Sequence, residues 1–192
     1  MTPLRRERLE IANSFFLDAT DLLTRYRLTT EYFSAIKSRR VKLFVDLRLA
    51  YECILKAYLA YFDEHASDRK ILIRKVESFR HDVERLLDDI IPFLPERLGQ
   101  RGRLLNKELA LLPISLRYYL DVSDFLEAQY DHYYDTIGRD SWMEGFAEFV
   151  RTLTDQMNKN LQSHSRIVSG DELWDALNHE SYNKYLPSHG TV

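Results

Sequence analysis

The chain has 192 residues, a length that fits one hydrophobic core with at most a small appendage. Its six glycines and five prolines are about half the usual share of these turn-forming residues, which argues against a β-sandwich, a β-barrel or a Gly-rich phosphate-binding fold. The net charge of −3 gives no overall basic field for nonspecific nucleic-acid binding, so any nucleic-acid site has to be local.

Apolar residues recur at three- and four-residue spacings along nearly the whole chain, and this period predicts helices. The first predicted helix covers 4–28. The second covers 31–63, and we expect it to be the most buried. A third predicted helix covers 69–91 and ends at Pro92 and Pro95, because proline cannot continue a helix.

The chain between the third helix and the last long one is less regular. Residues 96–103 carry Gly99 and Gly102 together with Arg97, Arg101 and Arg103, which predicts an exposed basic loop. Helical spacing then resumes and is disturbed at Pro113, where we predict a kink or a new helix start. Ser141 followed by Glu144 is typical of a capping box, which predicts a long helix that begins within two residues of Ser141.

These elements predict an all-α fold, an antiparallel bundle of four to five long helices plus a short C-terminal helix. We expect the bundle to occupy 1–168 and the short helix with an irregular tail to occupy 169–192.

Cys53 is the only cysteine, which leaves no intramolecular disulfide and no thiolate-rich metal site. We interpret it as a small buried residue with a raised pKa rather than a reactive thiolate. The N-terminal residues lack a signal-peptide pattern, and no stretch reaches about 18 uncharged apolar residues. We therefore expect a cytoplasmic protein that neither enters a membrane nor is secreted.

Common catalytic motifs are missing from the sequence. No histidine follows a glutamate in the Glu-x-x-His spacing of di-iron bundles, and there is no His-Glu-x-x-His, Gly-x-Ser-x-Gly or Gly-rich phosphate loop. We expect no metal and no cofactor.

Three segments resemble the HEPN domains, helical bundles of prokaryotic toxin, antiphage and nucleotidyltransferase-associated proteins. They are DLRLAYECILKAYLAY at 46–61, SFRHDVERLL at 78–87 and SLRYYLD at 115–121, within a resemblance that covers roughly 45–163. The family pattern has Glu-x-x-x-Lys-Ala on one helix and His-Asp-hydrophobic at the start of the next. The matching residues here are Glu52, Lys56, Ala57, His81, Asp82 and Val83.

The resemblance also implies a test for ribonuclease activity. HEPN ribonucleases cleave RNA without a metal and use an arginine and a histidine with four to six residues between them. Arg74 and His81 match that spacing. About two such pairs are expected by chance from the 19 arginines and 6 histidines of this chain. In the family the pair belongs near the last long helix, whereas a continuous third helix would place Arg74 and His81 together on its solvated face.

The strongest local charge bias lies between 121 and 148, a segment that contains eight acidic residues and only one arginine. Helical spacing places Asp124, Glu127 and Asp131 on one face, and tyrosines are interleaved with them. Tyrosine provides a large amphipathic contact area, so this region favours a basic protein partner. The predicted partner-binding residues are Asp124, Glu127, Tyr130, Asp131, Tyr133 and Tyr134.

Three functional hypotheses follow. The leading one is a non-catalytic HEPN-like binding or regulatory module that acts through a protein partner or a homodimer, in a prokaryotic stress or defence setting that the resemblance alone implies. The second is a metal-independent, toxin-like endoribonuclease that uses Arg74 and His81. The third is an accessory subunit that helps a nucleotidyltransferase to engage nucleic acid through Arg97, Arg101 and Arg103.

Overall fold

A computed structural model describes residues 3–33, 37–112 and 130–165 of the chain. The chain divides into two compact units, 1–157 and 158–192, and the contacts discussed below lie within the first. The described residues form α-helices, one 3-10 turn and no strand, which confirms the all-α class. The elements are α1 (Pro3–Phe33), α2 (Lys37–Phe62), α3 (Arg69–Ser78), α4 (Val83–Ile90), the 3-10 turn Ile91–Phe93, α5 (Glu96–Leu109), α6 (Tyr130–Asp135) and α7 (Asp140–Ser165).

Helix α2 is the centre of the first unit, as its long apolar pattern predicts. Leu47 and Ile54 are fully buried on it. Helix α1 packs along α2 in the antiparallel direction. Arg25 of α1 donates to Asp46 at 2.9 Å near one end of the pair, and Arg8 donates to the backbone oxygen of Asp63 at 2.8 Å beyond the other.

Helix α7 packs against α2 in the parallel direction. The ring centres of Phe44 and Trp142 lie 6.2 Å apart. Later in both helices, the Tyr58 hydroxyl donates to the backbone oxygen of Leu153 at 3.1 Å. Residue numbers therefore increase together along the two helices. The sequence pattern predicted antiparallel packing, which holds for α1 with α2 but not for this pair.

Helices α4 and α5 form an antiparallel pair in close contact. Asn106 donates to the backbone oxygen of Val83 at 3.1 Å. At Gly102 a Cβ atom would lie 2.9 Å from a Leu87 methyl carbon and 3.4 Å from the Phe149 ring, so this position has no room for a side chain. Gly102 thus lets α5 approach α4 and α7 at once.

The predicted helix bounds differ from the structure in three places. Helix α1, predicted to end at 28, continues to Phe33, and α2 begins at Lys37 rather than at 31. The helix expected over 69–91 is interrupted between Ser78 and Val83, where a turn separates α3 from α4. Residues 96–103 form the first half of α5 rather than a loop, because their two glycines are buried against neighbouring helices instead of ending a helix. Glycine and arginine alone do not reveal that difference.

The start of α7 at Asp140 confirms the boundary predicted near Ser141. Ser141 is the second residue of the helix rather than the residue before it, so it is not the N-cap that the capping-box pattern predicted. The predicted disturbance at Pro113 and the short C-terminal helix lie outside the described residues. Within the described ranges, no helix combines the length and the apolar character needed to cross a bilayer.

Candidate functional site

Three charged side chains share one face of α2, since Arg48, Glu52 and Lys56 follow each other at four-residue spacing. Glu52 is only 4% exposed. Its Oε1 accepts a hydrogen bond from Lys56 Nζ at 2.5 Å, and its Oε2 lies 2.8 Å from His81 Nδ1. A buried carboxylate is costly unless it is paired, and here both oxygens of Glu52 have partners.

The corner between α3 and α4 brings His81 to Glu52. Arg80 adopts a φ of 49°, in the left-handed region that non-glycine residues rarely occupy. Asp82 then caps α4, because its Oδ1 accepts from the backbone N–H of Arg85 at 3.0 Å. The turn places the His81 side chain next to Glu52 of α2.

The His81 side chain is about half exposed. With Nδ1 facing Glu52, Nε2 is the ring nitrogen left for solvent or a ligand. A carboxylate that orients an imidazole in this way is the arrangement used in general acid–base catalysis. The same arrangement also joins two helices, which is a purely structural role.

Arg48 extends this cluster into the interior. It is 8% exposed, and its Nε and Nη1 atoms are buried without a hydrogen-bond partner among the described residues. Burial lowers the pKa of the Arg48 guanidinium, and the charges of Glu52 and Asp82 act in the opposite direction. The effect of burial is the larger one, so the two carboxylates offset it only in part.

The structure does not bring Arg74 into this cluster. Arg74 is exposed on α3, where it forms no hydrogen bond or ion pair with another described residue, whereas His81 lies in the following corner. The prediction that both residues share one face of a continuous helix is wrong, because the turn after Ser78 ends that helix.

The three arginines predicted to form a basic loop lie instead on α5. Arg97 and Arg103 are exposed. Arg101 crosses to α7, where it donates to the backbone oxygen of Gly145 at 2.7 Å and lies 5.2 Å above the centre of the Phe149 ring. Arg101 is therefore engaged within the chain.

The predicted partner-binding residues are only partly described. Tyr130, Asp131 and Tyr134 are exposed on α6, whereas Tyr133 is buried, with its ring packed closely against Gly138, three residues beyond the end of this short helix. Asp124 and Glu127 lie outside the described residues.

A groove runs between α5 and α7, and sequence reasoning missed it. It encloses about 230 Å³ and is lined by Arg101, Leu104, Leu105, Glu108, Ser141, Trp142, Gly145, Phe146 and Phe149. Arg101 closes one end through its bond to Gly145. Glu108 closes the other, because it accepts a hydrogen bond from the Trp142 indole at 2.9 Å. Between these ends the floor is aromatic.

The remaining candidate groups offer little chemistry. Burial raises the pKa of the Cys53 thiol to about 12, with the charges of Asp18 and Glu52 acting in the same direction. A thiol of that pKa is not a nucleophile at neutral pH. In the described part of the chain, no three His, Cys, Asp or Glu side chains cluster in a way that could hold a metal ion.

Comparison of the chain with protein-family models, with curated proteins and with solved structures found no match.

Proposed function

We propose that this chain is a HEPN-like helical interaction module without catalytic activity, which acts through a protein partner or a homodimer. The observation that carries the proposal is the groove between α5 and α7. Its apolar lining stays open to solvent, and Leu104 on its edge is 65% exposed. Apolar side chains form the buried core of protein interfaces, so this exposed leucine beside an open groove marks the candidate surface.

The cluster around Glu52 supports the HEPN-like part of the proposal. Glu52 and Lys56 belong to the first motif of the resemblance and His81 to the second, and Glu52 contacts both of the other side chains. Since both oxygens of Glu52 are paired, the cluster acts as a tie that fixes the α3–α4 corner on α2. The setting in prokaryotic stress or defence follows from the resemblance.

The exposed residues of α6 form a second part of the interaction surface. Tyr130 and Tyr134 pack against each other at 4.6 Å between ring centres, with Asp131 beside them. We propose that the partner surface includes these residues together with Asp124 and Glu127.

A measurement of molar mass combined with co-purification tests this function. We expect the full chain to be recovered in a stoichiometric complex, either with itself or with one other protein. Reversal of charge at Asp124, Glu127 and Asp131 should weaken binding of a basic partner and reduce its salt dependence. A monomer at every concentration with no co-purified partner would contradict the proposal.

A second candidate function, metal-independent RNA cleavage, is favoured by one contact. The 2.8 Å separation of His81 Nδ1 and Glu52 Oε2 would orient the imidazole for proton transfer. The exposed Arg74 would then have to reach the substrate from α3. Cleavage of single-stranded RNA in the presence of a chelator, lost in His81→Ala and retained in Glu77→Gln, would establish this function in place of the first. We expect neither the wild-type chain nor His81→Ala to cleave RNA.

A further inference from the structure

Gly145 in the middle of α7 has no explanation within the described structure. A Cβ atom built on it meets nothing within 4 Å, in contrast to Gly102, where a Cβ would collide with Leu87. Glycine inside a helix is less favourable than alanine. Packing among the described residues therefore does not require this glycine, whereas the close approach of a further group would.

A candidate for that group lies on the edge of the same groove. Leu104 of α5 is more exposed than the other large apolar side chains of the described residues, at 65%. The groove volume of about 230 Å³ exceeds the roughly 150 Å³ of an apolar cavity that accommodates benzene, so it has room for an aliphatic side chain.

The register of the two helices places Leu104 and Gly145 at a similar height along the groove. Arg101 contacts Gly145 and Glu108 contacts Trp142, so Leu104, midway between Arg101 and Glu108 on α5, is level with this turn of α7. A two-fold axis that runs along the groove would set α5 of each copy over α7 of the other. Leu104 of each copy then reaches Gly145 of its partner, and the contact closes on itself.

The charges beside the groove are complementary under that rotation. Arg97 and Lys107 lie near Leu104 on α5, and Glu144 and Glu148 lie beside the groove on α7, all four exposed. Glu148 also pairs with Arg151 of its own helix, and the acidic Glu108 near Leu104 is bonded to the Trp142 indole. The rotation places the cationic flank of one copy over the anionic flank of the other. Opposite charges in that arrangement favour encounter and fix the register of the complex.

We propose that the partner which fills this groove is a second copy of the chain, docked by insertion of Leu104 over Gly145 of the other copy. This inference rests on the proposed interaction function and names its partner and its surface. Gly145 lets the inserted leucine approach the α7 backbone, while the ends closed by Arg101 and Glu108 limit where it can sit.

Sedimentation equilibrium of the full chain tests the proposal with two variants and one control. Leu104→Asp places a carboxylate against Glu144 and Glu148 of the other copy, and Gly145→Leu adds a side chain whose Cβ has open space at the position that the inserted leucine would occupy. Leu28→Asp is the matched control, since Leu28 is 58% exposed on α1. Thermal melts monitored by circular dichroism show whether each variant stays folded.

We expect a wild-type dimer that weakens at high salt, at least about 100-fold weaker dimerisation for both groove variants, and an unchanged dimer for Leu28→Asp. A dimer that survives Leu104→Asp or Gly145→Leu would overturn the proposal. If the wild-type chain is monomeric but binds another protein that Leu104→Asp releases, the second copy is the wrong partner while the interaction function stands. A monomer with no bound protein would overturn both.

Discussion

His81 Nδ1 lies 2.8 Å from Oε2 of Glu52, a residue 29 positions earlier in the chain, and this contact ties the α3–α4 corner to the buried helix α2. Glu52 also accepts a hydrogen bond from Lys56, so one buried carboxylate pairs with two side chains, Lys56 and His81. The free energy of unfolding should therefore depend strongly on Glu52.

Replacement of Glu52 by Ala is expected to lower the free energy of unfolding by about 3 kcal/mol, because it leaves Lys56 without its partner in a site that is largely buried. His81→Ala should cost less, about 1 kcal/mol, since its ring is half exposed. Urea denaturation measures both, and the double variant gives their coupling. Glu77→Gln on exposed α3 serves as the control, and an equally small loss for Glu52→Ala would show that the tie has no energetic role.

The central position of α2 makes a separate prediction. Leu47→Ala and Ile54→Ala should each lower the free energy of unfolding by about 2 to 5 kcal/mol, because both side chains are fully buried and their removal leaves a cavity. Chemical denaturation gives the values. A loss below about 1 kcal/mol at either position would mean that α2 is not central.

Two glycines offer a matched pair for helix packing. Gly102→Ala should be destabilising by about 1 kcal/mol or more relative to Gly145→Ala, because the new methyl group meets the buried Leu87 in the first case and open space in the second. At dilutions where the chain is monomeric, Gly145→Ala should raise the melting temperature, since alanine favours the helix. Equal effects of the two substitutions would contradict the close approach of α5 to α4.

Asp63 should make stability dependent on pH. Burial raises the pKa of its carboxyl group, but the ion pair with Lys75 at 2.9 Å and the hydrogen bond from the backbone N–H of His65 outweigh that effect and leave the pKa below its usual value. A carboxyl whose pKa is lower in the folded state contributes stability above its unfolded pKa of about 3.9, and this contribution is lost as the pH falls through the folded pKa.

Urea midpoints of wild type and Asp63→Asn at pH 6, 4 and 3 measure this contribution. The difference between the two proteins should be largest at pH 6 and should shrink as the pH falls. Asp88→Asn, at an exposed position of α4, should show no such trend. A difference that is constant or grows at low pH would contradict the assigned role of Asp63.

Most of the fold could be predicted from the spacing of apolar residues. In α1, α2 and α7 the apolar residues repeat at helical spacing over many turns. This repeat indicates a helix without any knowledge of tertiary contacts, so the existence of these three helices follows from the sequence alone. The break after Ser78 could not be found in the same way. The apolar spacing continues across the turn because the side chains on both sides of it are buried, namely Val76, Phe79 and Val83.

The candidate site was less accessible to prediction because it depends on tertiary contacts. Glu52 and Lys56 could be paired from their spacing, but the contact with His81 requires the corner at Arg80. Residues 96–103 suggested a loop because glycine commonly ends helices. In the structure Gly102 is needed instead for close contact with Leu87 and Phe149, which no local pattern of the sequence reveals.

The most direct measurement of the central claim is a disulfide cross-link between two differently labelled chains. In a Cys53→Ala background, one chain carries Leu104→Cys and the other Gly145→Cys, so that neither can form a disulfide within itself. A disulfide requires Cα atoms within about 7 Å, so a covalent pair reports that residue 104 of one copy lies over residue 145 of the other. The account predicts rapid formation of the mixed covalent dimer and little covalent dimer from either chain alone. No mixed cross-link at concentrations where the chain is dimeric, or equal cross-linking of Leu104→Cys with itself, would contradict it.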